Sequence, residues 1–247
     1  MIAALEALGA EVLLLPMVEF APADDWREVD EALRKLPGFD AILFLSRNAV
    51  RYIFRRCREQ GIKFVTAESS KCMIAAVGQG TAQAITSEGL RVDYVAKHQT
   101  GDALVNELGD LVAGRKVLLP RSDRGDARLS KALRAAGVRL TEVVAYRTIV
   151  PKAIDQSLLA RVRGAEVDAV IFASPSAFHT FSNLLGADEG ATVSARVQFA
   201  AIGPTTANAI RDAGARVEIE AAEPSAENLA NAIARYYQHR PVGMRPE

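Results

Sequence analysis

The chain has 247 residues, 49% hydrophobic and 24% charged, which suits one large or two medium domains with sizeable cores and excludes a disordered chain. Lys plus Arg number 30 and Asp plus Glu number 30, a balance that argues against a general nucleic-acid or membrane-surface binder. Two cysteines, Cys57 and Cys72, make no CxxC pattern, no apolar run approaches the ~20 residues of a membrane span, and the opening segment carries Glu6 without a basic start, so a cytoplasmic protein with reduced thiols is expected.

In chain order, short apolar runs alternate with amphipathic stretches. Strands are expected at residues 11–15, 41–45, 73–77, 91–95, 116–119, 139–144, 169–173, 198–202 and 216–219. Helices are expected at 26–35, 49–60, 81–88, 100–112, 126–136, 176–185, 205–213 and 226–237, several closed by a glycine such as Gly61 or Gly137. Continuous apolar strands between amphipathic helices predict an α/β fold whose parallel sheets are covered on both faces.

The pattern nearly repeats. Residues 40–49 (DAILFLSRNA) return as 168–177 (DAVIFASPSA), 128 positions on, and 75–85 (AAVGQGTAQAI) return as 200–210 (AAIGPTTANAI), 125 positions on. A third match sets Leu133 to Gly137 against Leu5 to Gly9, and the partner of Arg121 then falls ahead of Met1. Two similar lobes are expected, the first copy lacking its opening strand. Residues 16–22 and 145–151 break the rhythm at matching places, look extended and end in proline. They read as a two-stranded linker between interleaved lobes: 1–17 with 152–247, and 22–145. The tail after Tyr237 is polar and expected to fray.

Candidate chemistry sits where strands run into helices. Ser46 and Ser174 each follow a strand, with Asn48 and Ser176 two residues on. Such side chains cap helices, and helix N-termini also cradle anions. Gly78 to Thr81, Gly203 to Thr206 (with Thr205 between), Gln99 to Gly101 and Pro224 to Ala226 repeat the layout. Ligands in such sheets bind at the carboxyl ends of the strands, so lobes facing across a cleft would present all these turns. Neither GxGxxG nor GxxxxGK[ST] is present. Arg121, Arg124 and Arg128 offer guanidinium forks for carboxylates, or form a solvated turn with Asp123 and Asp126. The basic run from Arg51 to Arg58 reads as a solvated helix face. His98, His179 and His239 lack any metal spacing, His179 reads as a packing residue, and no GxSxG or Cys–His signature is present.

Residues 168–178 (DAVIFASPSAF), 199–210 (FAAIGPTTANAI), 143–148 (VVAYRT) and 224–229 (PSAENL) resemble uroporphyrinogen-III synthases, and the resemblance covers nearly all of the chain. It implies two α/β lobes joined by a two-stranded ladder. It implies a cyclising lyase of heme biosynthesis that takes hydroxymethylbilane to uroporphyrinogen III, inverting ring D with loss of the terminal hydroxyl, through a spiro-pyrrolenine. It implies no cofactor or metal, a monomer, and at most a transient contact with the preceding pathway enzyme. Tyr146 matches the family's linker tyrosine, which is proposed to assist departure of the hydroxyl; the alternative is a hinge aromatic that packs the linker. Ser46, Thr81, Ser174, Ser176, Thr205 and Thr206 match substrate-cleft positions. Gln198 stands where some members have lysine. A non-catalytic two-lobed binding protein for an anionic metabolite would also use duplicated α/β lobes.

Overall fold

The computed structural model describes residues 1–64, 72–97, 101–125 and 127–238. His98, His239, Gln99, Thr100, Asp126 and the tail from 239 lie outside the described residues. The chain divides into two compact units: Met1–Glu19 with Val150–Glu247, and Phe20–Ile149. It opens with α1 (Ile2–Glu6).

The continuous unit is built from β1 (Glu19–Pro22), α2 (Arg27–Arg34), β2 (Ala41–Phe44), α3 (Arg47–Gln60), β3 (Met73–Val77), α4 (Gln79–Ser87), β4 (Tyr94–Ala96), α5 (Gly101–Val112), β5 (Lys116–Ser122), α6 (Ala127–Ala135) and β6 (Arg139–Ile149). Its strands lie in the order β1-β6-β5-β2-β3-β4, and every pairing from β6 to β4 is parallel. Alternation along β2 explains the unbroken apolar run. Ile42 and Phe44 face a core holding Ile53 and Ile85, while Ala41 and Leu43 face another holding Leu104, Leu108 and Leu133. Helices cover both faces, so no residue of the strand can be polar.

The second unit contributes α7 (Gln156–Arg163), β7 (Ala169–Phe172), α8 (Pro175–Leu185), α9 (Ala187–Ser194), β8 (Gln198–Ala201), α10 (Pro204–Asp212), β9 (Ile219–Glu220) and α11 (Ala226–Gln238), with parallel strands in the order β7-β8-β9. The sequence repeat becomes a repeat of register. Ala41 pairs with Met73 as Ala169 pairs with Gln198, and Ala75 pairs with Tyr94 as Ala200 pairs with Ile219. The paired glycines serve different needs. Gly78 takes a left-handed φ of 76°, which favours glycine. At Gly203 a Cβ would lie 2.9 Å from Pro224 Cγ.

Several expectations need correction. Residues 11–15 form no strand. Their counterpart opens β6, which exists because β5 supplies its hydrogen-bond ladder; among the described residues no strand lies beside β7 as β5 lies beside β2. Leu14 is accordingly 62% exposed. The same difference leaves Ala169, Val170 and Ile171 half-buried where Ala41, Ile42 and Leu43 are buried. The strand expected at 139–144 continues to Ile149, and helices α7 and α9 were not anticipated. Strands expected from 91 and 216 begin only at Tyr94 and Ile219.

Phe172 lies 5.2–5.3 Å, ring centre to ring centre, from Phe178, Phe181 and Phe199. Phe172→Ala should cost about 3–5 kcal/mol by urea denaturation; a loss below about 1 kcal/mol would mean that the cluster collapses into the gap.

Candidate active site

Tyr146 lies in β6 and is only 7% exposed. Its phenol is held from three sides. Ser46 Oγ lies 3.0 Å from Tyr146 Oη. The ring of Tyr52 stacks at 5.6 Å and 10°, and that of Phe20 meets it edge-on at 5.7 Å and 75°. Tyr52 in turn donates its hydroxyl to the Phe20 carbonyl at 2.6 Å. Burial pushes the Tyr146 phenol above the ordinary tyrosine range; the hydrogen bond with Ser46 pulls the other way, and Asp123 and Tyr52 add to the rise. The group therefore keeps its proton at neutral pH.

Sequence reasoning missed Tyr52 and Phe20. The run from Arg51 to Arg58 is only half a solvated face: Arg51, Arg55 and Arg58 are exposed, whereas Tyr52, Ile53, Phe54 and Cys57 are buried. The apolar spacing inside the basic run was the available signal. Asp123 was also undervalued. Its backbone N–H donates to the Tyr146 carbonyl at 3.1 Å, and its carboxylate accepts from Thr148 N at 2.9 Å and Ser122 Oγ at 2.8 Å.

The serines cap their helices alike. Ser46 Oγ accepts from Ala49 N at 3.1 Å and Ser174 Oγ from Ala177 N at 3.2 Å, both with extended backbone. Ser176 is half-buried in the first turn of α8, and Thr205 is exposed in that of α10. Thr81 and Thr206 are buried, at 5% and 2% exposure, with little open surface for a ligand. Only Ser46 and Tyr146 of the candidates are brought into hydrogen-bond contact.

Arg121 is not a free fork. Its NH1 donates to the Gly125 carbonyl at 3.1 Å. Its Nε lies 2.9 Å from Glu142 Oε2, close enough to pair by charge, yet the N–H points off that line and finds no acceptor. Glu142 also accepts from Ser130 Oγ at 2.6 Å and pairs with Arg134 at 2.7 Å. His179 is exposed on α8 rather than packed inside, its ring 5.8 Å from that of Phe178. Burial pushes the Cys57 and Cys72 thiols up to about 11, which leaves them poor nucleophiles. Among the described residues no group of three His, Cys, Asp or Glu could hold a metal, and no helix is long and apolar enough to cross a membrane.

The family model described as uroporphyrinogen-III synthase HemD matches residues 1–231. The chain belongs to the uroporphyrinogen-III synthase family. A uroporphyrinogen-III synthase of Synechococcus elongatus is 32% identical over 95% of this chain and 89% of its own length. The fold is that of a mutant uroporphyrinogen III synthase from Thermus thermophilus, with TM-score 0.65 and 22% identity over 96% of this chain and 92% of that one. A synthetase from Helicobacter pylori gives TM-score 0.63 and 18% identity over 89% of this chain and 91% of that one.

Glu142 gives a pH test of the Arg121 pairing. Burial alone would raise its carboxyl, but Ser130, Arg134 and Arg121 together hold it below the usual value. A folded pKa below the unfolded one, near ~4.3, stabilises above that pH and loses the contribution as pH falls through the folded value. Glu142→Gln should cost about 1–3 kcal/mol at neutral pH and flatten the loss of stability in acid. Urea denaturation across acidic pH checks this; an unchanged acid limb would show that Glu142 is unpaired in solution.

Proposed function

We propose that this chain is a uroporphyrinogen-III synthase: it closes hydroxymethylbilane to uroporphyrinogen III, inverts ring D and releases water, with no cofactor or metal. Family membership over residues 1–231 carries the reading, and the chemistry suits the residues present. The substrate cyclises by itself to the uninverted isomer, so the protein must hold it in one shape and help hydroxide leave.

Tyr146 is the proposed acid. The bond from the terminal carbon to its hydroxyl breaks with both electrons leaving on oxygen. Tyr146 gives that oxygen its proton, and water departs. The cation left on the pyrrole is attacked by the ring D carbon, giving the spiro-pyrrolenine. Rearrangement and closure then release a proton from carbon, which restores the phenol. Arg121, Thr81, Ser174, Ser176, Thr205 and Thr206 are proposed contacts for the substrate carboxylates, helped by helix-start amides. The two buried threonines and the engaged Arg121 need rearrangement to serve in this way. The protein is proposed to act as a cytoplasmic monomer, without nucleic acid or membrane, and to meet the preceding pathway enzyme transiently.

Supplying hydroxymethylbilane and separating the isomers tests the reading: isomer III supports it, and isomer I alone would leave a binding protein. Tyr146→Phe should lower turnover about 10²-fold while affecting binding less. Turnover of the parent should fall as pH rises through the elevated phenol pKa, because the protonated form is the donor, and the variant should lose that alkaline limb. Equal rates for variant and parent would return Tyr146 to packing. Thr205→Ala should raise KM only a few-fold, since one neutral hydrogen bond contributes about 0.5–1.5 kcal/mol; abolished activity in a folded variant would contradict distributed binding.

A further inference from the structure

Ser46 uses one oxygen for two partners. Its Oγ accepts the Ala49 N–H that caps α3, and the same atom lies 3.0 Å from Tyr146 Oη. A serine hydroxyl has one proton and two acceptor positions. The cap occupies one acceptor position and leaves the proton to be placed. Among the described residues the Tyr146 oxygen is the only further partner of Ser46 Oγ. If the phenol is the donor, its single proton is held by Ser46 and is not available to a ligand. If Ser46 is the donor, the phenol keeps a proton that it can give to a bound substrate.

We infer that Ser46 is a positioning residue of the reaction, donating its hydroxyl to Tyr146 Oη so that the phenol proton is directed to the departing hydroxyl. The inference rests on the reading of Tyr146 as the acid. Once the phenol has given up its proton, the Ser46 hydrogen bond becomes charge-assisted and strengthens. The phenolate forms beside the N-terminus of a helix running from Arg47 to Gln60, where negative charge is favoured. Tyr52 stacks on the Tyr146 ring from that same helix. One helix therefore sets both the hydrogen bond and the plane of the phenol. This assigns Ser46 to the acid rather than to a substrate carboxylate.

The test is steady-state formation of isomer III by Ser46→Ala, Ser46→Thr, Tyr146→Phe and the Ser46→Ala/Tyr146→Phe double variant. Ser46→Ala should lower kcat about 10-fold, the effect of one charge-assisted bond, with KM changed less than about twofold. Ser46→Thr keeps a hydroxyl and should restore kcat. In the Tyr146→Phe background Ser46→Ala should cause no further loss of kcat. A raised KM at unchanged kcat, or the same loss of kcat in both backgrounds, would overturn the inference while leaving Tyr146 as the acid. Parental kcat in Tyr146→Phe would remove the acid and this role with it. If loss of the cap prevents Ser46→Ala from folding, Ser46→Gly retains a competent N-cap residue without the hydroxyl and must show the same loss of kcat.

Discussion

The surroundings of Tyr146 depend on β6 running unbroken from Arg139 to Ile149. Its early residues are paired to β5, which fixes Glu142 beside Arg121. The register shifts between Arg121 and Ser122, so that Tyr146 pairs with Ser122 at the end of β5 and Thr148 lies beyond it. At that irregularity Asp123 turns back to bind the Tyr146 carbonyl and the Thr148 amide. A bulge re-aims side chains while keeping the strands paired, and here it pins the backbone of the residue that carries the phenol. The aromatic contacts from Tyr52 and Phe20 could not hold a ring whose backbone was loose.

The internal repeat shows how one sequence pattern is put to two uses. Ser46 and Ser174 occupy matching turns, adopt nearly the same backbone and cap their helices with the same bond. Ser46 has in addition the oxygen of Tyr146 within 3.0 Å. Capping alone accounts for the repeated serine, and the phenol separates the two copies. Gly78 and Gly203 diverge in the same sense, one needing a left-handed backbone and the other room for Pro224.

Charge is handled locally. Arg121 and Arg134 converge on Glu142, Arg56 pairs with Asp30, and Arg147 pairs with Asp24. Arginines that look available in the sequence are thus engaged with carboxylates. This agrees with the proposal that the acidic substrate is held by many weak contacts rather than by a strongly basic field, which would draw unrelated anions as well.

The sequence by itself determined the α/β class, the repeat and most helices, because each rests on local periodicity or on a residue type that a turn demands. Even the strand register is legible in hindsight from the offsets between the two copies. What it could not decide depends on neighbours distant in the chain. Residues 11–15 have a strand's composition and form none, since a strand exists only beside another. Tyr52 sits in a basic run yet is buried, because the partners on its face, Phe20 and Tyr146, come from other segments. Arg121 looks like a free fork until Glu142 is set beside it. Ser46 and Tyr146 are 100 residues apart, and local pattern carries no information about a hydrogen bond across that separation; only the folding of α3 against β6 brings the serine to the phenol.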